Sequence, residues 1–592
     1  MGNSLSSPSP VGPHRPRVRR QREWRSSILR HLSLGCSSSS SSTYSTEPWP
    51  EVHHEKPLLR GSTPEVKPTD TLIPAPPTTA SLAYYTTTPR SPLHAESDAM
   101  YAEFIKEYPE YRLTWIVDSL RRTDFARLER TGETYVDYMG GSLYPESLVK
   151  VHADFLNSVV LGNTHSISTS SKLSADCASE ARAAVLSFFQ APPDYTVIFT
   201  ANATAALKIV AESYPFCGGS AYILAADSHN SVNGIREFAL NRGARYAYIP
   251  ATSTGGFDLA VAKNMLLRHR PRNKDLAPCL FALTAQSNIS NTKTPLGMAE
   301  YASSLGYHVV LDAAALAPTS NFSLSDHPVD AMAISFYKMF GFPTGVGALI
   351  VKRSFLVELK RPWFSGGTVD VVQVPGSIVT RAAELHEQFE DGTINYLTLP
   401  AITDGLRFLS AYLPFLPLRL SCLLRYLVSS LLQLRHDANG KPVVQILSRR
   451  PGRRLRSVGQ ESDVGFVASL LFLDPSGKMI PNSFVEHAAT RRNISLRTGC
   501  VCNPGGAAAI LGISEQMTHL TPGVTLHDFE DHVGRELGVV RVSLGLASNF
   551  DDVHNVIKFA SLVANSQTRE TMMAEWAQLR TSRSSSLSGN PH

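Results

Sequence analysis

Ser335-Phe-Tyr-Lys-Met-Phe-Gly-Phe-Pro-Thr-Gly-Val-Gly347 is the stretch whose reading decides the fold. An apolar run at 331–334 precedes it and another at 348–351 follows, each with the length of a buried strand. The first strand delivers one lysine, Lys338, into a segment punctuated by Gly341, Pro343, Gly345 and Gly347. Lysine is seldom buried without a partner or a task, and glycines let the backbone bend around it. A partly desolvated amine has a lowered pKa and can attack an aldehyde to form a Schiff base. The plainer alternative is a surface lysine at a strand end.

Upstream, strand patterns at 196–200, 221–225, 245–249, 280–284 and 307–312 alternate with helix patterns at 177–190, 203–212, 231–240 and 295–305. Such alternation predicts an α/β fold, a mostly parallel sheet flanked by helices on both faces. Helical patterns at 103–120 and 145–160 lead into it. Beyond about Gly376 the texture changes. Leucine-rich helix, a basic stretch at 449–456 that reads as a solvated loop, and an α+β pattern follow, with strands at 465–473 and 539–544 and helices at 482–492 and 551–563. The expected organisation is a disordered tail at 1–95, a large domain at 96–375 with an N-terminal helical segment, a small C-terminal domain at 376–567 and a tail at 568–592.

With 592 residues, 43% of them hydrophobic, the chain can build a large core and more than one globular unit. A net charge of +5 is small for this length and argues against nucleic-acid binding. Seven scattered cysteines, an odd number, suit a reducing compartment without a disulfide framework, so the expected location is cytoplasmic. The most apolar stretch, 412–434, contains Pro414, Pro417, Arg419 and Arg425 and reads as an amphipathic helix, so no transmembrane segment is expected. The Ser-, Pro- and Arg-rich residues 1–95 read as disordered. Met1-Gly2-Asn3-Ser4-Leu5-Ser6 fits an N-myristoylation pattern, which with nearby arginines would associate the tail with a membrane. The same composition fits a mitochondrial transit peptide, and an untargeted tail is the third reading.

Ligands of parallel sheets bind outside the carboxyl ends of the strands. There, Ala203 and Thr204 open a helix whose N–H groups could face an anion, an ordinary N-cap being the alternative. His229 could stack on a planar group, and Gln286 and Asn288 offer neutral donors. Asp312 ends a buried strand, where a carboxylate needs a cation or hydrogen bonds; a protonated pyridine nitrogen would serve. Lys338 comes last. In that order these are the parts that a pyridoxal phosphate (PLP) site requires.

Phe199-Thr-Ala-Asn-Ala-Thr-Ala-Ala-Leu207, Asp227-Ser-His-Asn-Ser-Val232, Ala285-Gln-Ser-Asn288, Leu311-Asp-Ala-Ala-Ala315 and the Lys338 segment resemble class V aminotransferases of PLP fold type I. With Leu496-Arg-Thr-Gly-Cys-Val-Cys-Asn-Pro-Gly505 they resemble the cysteine-desulfurase-like domain of the molybdenum cofactor sulfurase family, over roughly residues 100–565. The resemblance implies that Lys338 holds PLP covalently, Asp312 pairs with its ring nitrogen, His229 stacks on the ring and Gln286 contacts the ring oxygen. It further implies that Ala203, Thr204 and Ser335 hold the phosphate. Thr368, in Ser365-Gly-Gly-Thr368, would reach the phosphate of a partner subunit in a homodimer. Arg541, with Asn288 nearby, would bind the substrate carboxylate. The family's persulfide carrier corresponds to Cys502, with Cys500 as the fallback. No metal is expected at this pair, because zinc needs four ligands and nothing nearby completes a set; Arg497 is expected to lower a thiol pKa instead.

Two departures stand out. The loop's usual third cysteine is Ala507 here, and with only about 25 residues after the matching part, the family's C-terminal cofactor-binding domain is expected to be missing. The function implied is a PLP-dependent cysteine desulfurase that takes sulfur from L-cysteine as a persulfide and releases L-alanine. Its acceptor is open between a molybdenum cofactor and a carrier protein. A PLP lyase, aminotransferase or epimerase acting on another amino acid, and a binding scaffold, remain the alternatives.

Overall fold

The computed structural model describes residues 92–587. The readings of the N-terminal tail before residue 92, its lipidation and targeting included, lie outside the described residues. Seven strands form the main sheet: β1 (Tyr195–Thr200), β2 (Ala221–Ala225), β3 (Arg245–Ile249), β4 (Leu280–Thr284), β5 (His308–Asp312), β6 (Ala331–Ser335) and β7 (Gly347–Lys352). Their spatial order is β1-β7-β6-β5-β4-β2-β3. The pairings are parallel from β6 through β3, and β7 runs antiparallel to both β6 and β1. The sheet is therefore mostly parallel, as the alternation predicts.

Period-two alternation sends successive side chains to opposite faces. Ile223, Phe281, Val309, Met332 and Ile350 enter one core, while Tyr222, Leu280, Val310, Ala331 and Leu349 enter the other. Helices cover both, so β2, β4 and β6 are buried at every position and read as continuous apolar runs. Only β3, at the sheet edge, exposes residues to solvent.

A second sheet of four antiparallel strands consists of β8 (Val444–Ile446), β9 (Val467–Phe472), β10 (Arg497–Gly499) and β11 (Val539–Ser543), in the order β8-β9-β11-β10. Thr134–Tyr135 pairs in parallel with Ile494–Ser495, and Asp137 bridges Ser543. This early stretch of the chain is thereby carried to the second sheet. Helix Leu399–Tyr412, beyond the change of texture at 376, packs on helix Thr169–Phe188.

Several elements differ from expectation. The helix read at 103–120 is Pro92–Glu107, a 3-10 turn at Pro109–Thr114 and Trp115–Asp124, because proline lacks the donor that would continue the first helix. Helix Leu259–His269 was not anticipated, although Asp258 caps it by accepting from the N–H groups of Ala260 and Val261 at 2.9 Å. The basic stretch 449–456 is not a free loop. Arg454 grips Glu110 through two bonds of 2.6 and 3.0 Å, and Leu455 is buried. Glu110 lies far away in sequence, which hides the pair from local reading. Helix Leu416–Gln433 is buried nearly all round rather than along one face. By length and composition Leu399–Gln433 could cross a membrane, but 72% of its most apolar window is buried inside the protein.

Candidate active site at the strand ends

The carboxyl ends of β1, β2, β4, β5 and β6 converge on one cavity of about 130 Å³. Ala203, Thr204, His229, Gln286, Asn288, Asp312, Ser335 and Lys338 all line it, so eight of the residues picked from sequence meet in one place. A larger hollow of about 460 Å³, lined by Lys293, Ser320 and Glu461 among others, contains none of them.

Lys338 follows β6 on the short helix Phe336–Phe340, whose apolar residues Phe336, Met339 and Phe340 are anchored in the core. Burial lowers its pKa; Asp312 works against this, while Arg541 and Arg497 add to it. A larger fraction of neutral amine is the consequence. Asp312 closes β5 and accepts from Ala314 N–H at 3.1 Å. His229 caps helix Asn230–Asn233, with Nδ1 accepting from Ser231 N–H at 3.1 Å, which fixes the ring. Its pKa is lowered by burial, with Asp312 opposing and Lys338 reinforcing. Gln286 is buried, yet neither its Nε2 nor its Oε1 has a partner among the described residues. Leaving both ends of a buried amide unpaired is costly unless a ligand supplies the bonds.

The N-cap reading of the Ala203–Thr204 segment holds. Asn202 caps helix Ala203–Ser213 by accepting from Ala205 N–H at 3.0 Å. Ala203 N–H donates to Ser335 Oγ at 2.8 Å, and Thr204 Oγ1 lies 2.7 Å from Ser231 Oγ. These hydroxyls and the helix N-terminus gather at one end of the cavity, where an anion would be favoured.

Thr368, Arg541, Cys500 and Cys502 are not among the cavity-lining residues. Thr368 is buried in its own turn, donating to Ser365 O and accepting from Ser365 N–H, both at 2.9 Å. Arg541, buried on β11, donates to Asp137 Oδ1 at 2.7 Å and to Asn288 O at 3.2 Å, leaving Nε unpaired among the described residues. Arg497 takes the other oxygen of Asp137 at 2.8 Å. The cation expected to activate a thiol is thus engaged by Asp137. Burial raises the Cys500 pKa, with Glu530 and Cys502 adding to it, while Cys502 is exposed. Sequence reasoning missed Asp137, a single acidic residue in Val136-Asp-Tyr-Met-Gly-Gly141 outside any quoted motif, and gave no role to Ser231, although it lies within Asp227–Val232.

Residues 134–415 match the family model "Aminotransferase class-V". The chain is 34% identical over 493 residues to a molybdenum cofactor sulfurase of Solanum lycopersicum, covering 77% of this chain and 59% of that one. To a molybdenum cofactor sulfurase of Bos taurus it is 36% identical over 462 residues, covering 74% and 51%. The chain thus spans just over half the length of these relatives. Among solved structures, an apo cysteine desulfurase from Thermococcus onnurineus NA1 superposes with a TM-score of 0.59 at 20% identity, covering 76% of this chain and 98% of that one. The fold is therefore that of the cysteine desulfurases, PLP fold type I.

Proposed function

We propose that the protein is a PLP-dependent cysteine desulfurase of the molybdenum cofactor sulfurase kind, moving sulfur from L-cysteine to Cys502 and releasing L-alanine. The observation that carries this reading is the desolvated Lys338 beside Asp312 and the orphaned Gln286 amide in one cavity. An amine, a carboxylate, a neutral amide and an anion-favouring helix end are the groups that PLP's aldehyde, ring nitrogen, ring oxygen and phosphate require. Bound there, PLP supplies an electron sink that labilises the bonds at the substrate's Cα and, through it, the C–S bond.

The chain's own residues do the rest. Lys338 Nζ would hold the cofactor and would move the substrate's α-proton. Asp312 would pair with the cofactor's ring nitrogen, Gln286 Nε2 would donate to its ring oxygen, and His229 would cover one face and exclude water. Arg541 and Asn288 orient the substrate carboxylate. The Cys502 thiolate attacks the substrate sulfur: a Cys502 S–S bond forms, the substrate's C–S bond breaks, and the carbon takes a proton to become alanine. A homodimer fits the exposed apolar residues Trp363, Phe364, Val371, Val374 and Ile378 around Thr368. The persulfide then passes to a molybdenum cofactor or a carrier protein.

The test is alanine and sulfide release from L-cysteine with reductant. Equal amounts that vanish in Lys338→Ala and Cys502→Ala support the reading. Bound PLP with no product from cysteine refutes it and turns the search to other amino acids.

A further inference from the structure

The loop that carries Cys502 is held in an unusual shape. Val501 and Cys502 have φ of +47° and +59°, a region that side chains other than Asn and Asp rarely adopt, β-branched valine least of all. Consecutive residues stay there only where their surroundings over-determine the backbone. Here Asn288 Nδ2 donates to Val501 O at 2.7 Å, and Asn230 N–H donates to Cys502 O at 2.8 Å. The next residue, Asn503, is fully buried and donates through Nδ2 to Asp227 Oδ1 at 2.7 Å.

Asp227 is the hub of these contacts. It is 3% exposed, and both oxygens are occupied by neutral donors. Oδ1 accepts from Asn503 Nδ2 and from Ser287 Oγ at 2.6 Å; Oδ2 accepts from Ser290 Oγ at 2.6 Å and from Gly256 N–H at 2.8 Å. Three glycines make room for this closeness. A Cβ on Gly506 would come within 2.4 Å of Asp227 Oδ1, one on Gly505 within 2.2 Å of Ala226 O, and one on Gly255 within 1.9 Å of Ser290 Cβ. A buried carboxylate is tolerated when its lone pairs are filled, and this one ties three separate loops together. One segment, Asp227–Asn230, thus supplies a side-chain anchor and a backbone anchor to the cysteine loop, and also carries His229 into the cavity.

We propose that Asp227 is a positioning residue that fixes the Cys502 loop to the segment bearing His229, so that the thiol is held at the site mouth in a set backbone conformation rather than on a free arm. This rests on the desulfurase reading only for its kinetic consequence.

In Asp227→Asn, the fixed Gly256 N–H demands the remaining carbonyl oxygen. The new NH2 group then faces the Asn503 NH2 group, donor against donor. The swap Asp227→Asn with Asn503→Asp restores one donor and one acceptor across the same gap. Amide hydrogen exchange at Asn230, whose N–H is tied to Cys502 O, reads the loop without any reference to catalysis. We expect roughly 10- to 100-fold faster exchange in Asp227→Asn and in Asn503→Ala, and recovery in the swap. With PLP-loaded enzyme and L-cysteine, kcat falls by a similar factor while the cofactor absorbance stays and KM moves less than about threefold; the swap recovers kcat.

Unchanged exchange in both single variants overturns the anchoring. Faster exchange with unchanged kcat in an active desulfurase overturns the positioning role. If Asp227→Asn does not fold, Asn503→Ala carries the same expectations. If cysteine is not a substrate at all, the exchange arm still decides the anchoring, so failure of the functional reading is distinguished from failure of this one.

Discussion

Gln286 offers the sharpest quantitative test of the cofactor assignment, because both ends of its amide are buried and, among the described residues, unpaired. Gln286→Met keeps the length and most of the volume but removes the donor. If Nε2 donates to the ionised ring oxygen of the cofactor, the variant loses a hydrogen bond to a charged group, about 1.5–3 kcal/mol. It also removes a desolvated amide from the empty protein, which stabilises the unliganded state and weakens binding further. At 1.4 kcal/mol per tenfold, the dissociation constant should rise about 10- to 100-fold. The measurement belongs in a Lys338→Ala background, where binding is reversible and can be titrated by fluorescence quenching. Denaturant unfolding of the empty proteins should show Gln286→Met no less stable than its parent. Weakening below about threefold, or clear destabilisation of the empty protein, would refute the assignment and make Gln286 an ordinary packing residue.

Other perturbations test the frame around the site. Lys338 has a folded pKa below the unfolded lysine value near 10.4, so the folded state binds fewer protons between the two values and stability rises with pH there. Lys338→Met should therefore stabilise the empty protein at neutral pH, and the gain should fade as pH approaches 10.4, as read by thermal melts across pH. Gly405→Ala would bring a Cβ to 2.2–2.7 Å from the Phe340 ring, which anchors the Lys338 helix; we expect a loss of about 1–3 kcal/mol and slower covalent cofactor attachment, although Gly405 does not line the cavity. Arg121 grips the buried Asp552 through bonds of 2.7 and 3.1 Å, so Arg121→Ala should cost about 3–5 kcal/mol by stranding that carboxylate, measured by denaturant unfolding. Iodoacetamide followed by peptide mapping should label the exposed Cys502 before Cys500, whose thiol burial holds in its protonated form.

Much of the large sheet was legible because a parallel strand buried on both faces must be apolar throughout. The runs at 221–225, 280–284 and 331–334 announce themselves, and the last two end on or just before cavity-lining residues, Thr284 and Ser335. What stayed hidden depends on partners distant in sequence. Asp137 carries no signal until β11 brings Arg541 to it and β10 brings Arg497. Asp227 opens the motif of His229 but has no role of its own until Ser287, Ser290 and Asn503 close around it. Arg454 looks solvated until Glu110 takes it. The start of helix Thr169–Phe188 was missed for a local reason: Ser168 caps it, but that cap sits in a run of serines and threonines with no contrast to mark it.

The strand order bears on how the protein is made. β1 takes its place at the sheet edge only against β7, made some 150 residues later, and Asp137 meets Arg541 across 404 residues. A ribosome delivering the chain from its N-terminus exposes the apolar β1–β5 before the strand that joins β1 to them exists. Contacts of such separation form slowly and leave open edges meanwhile. The Asp137–Arg541 ion pair closes only once β11 has been made and released, so that part of the site forms late, and truncation anywhere before β11 leaves Asp137 without that partner.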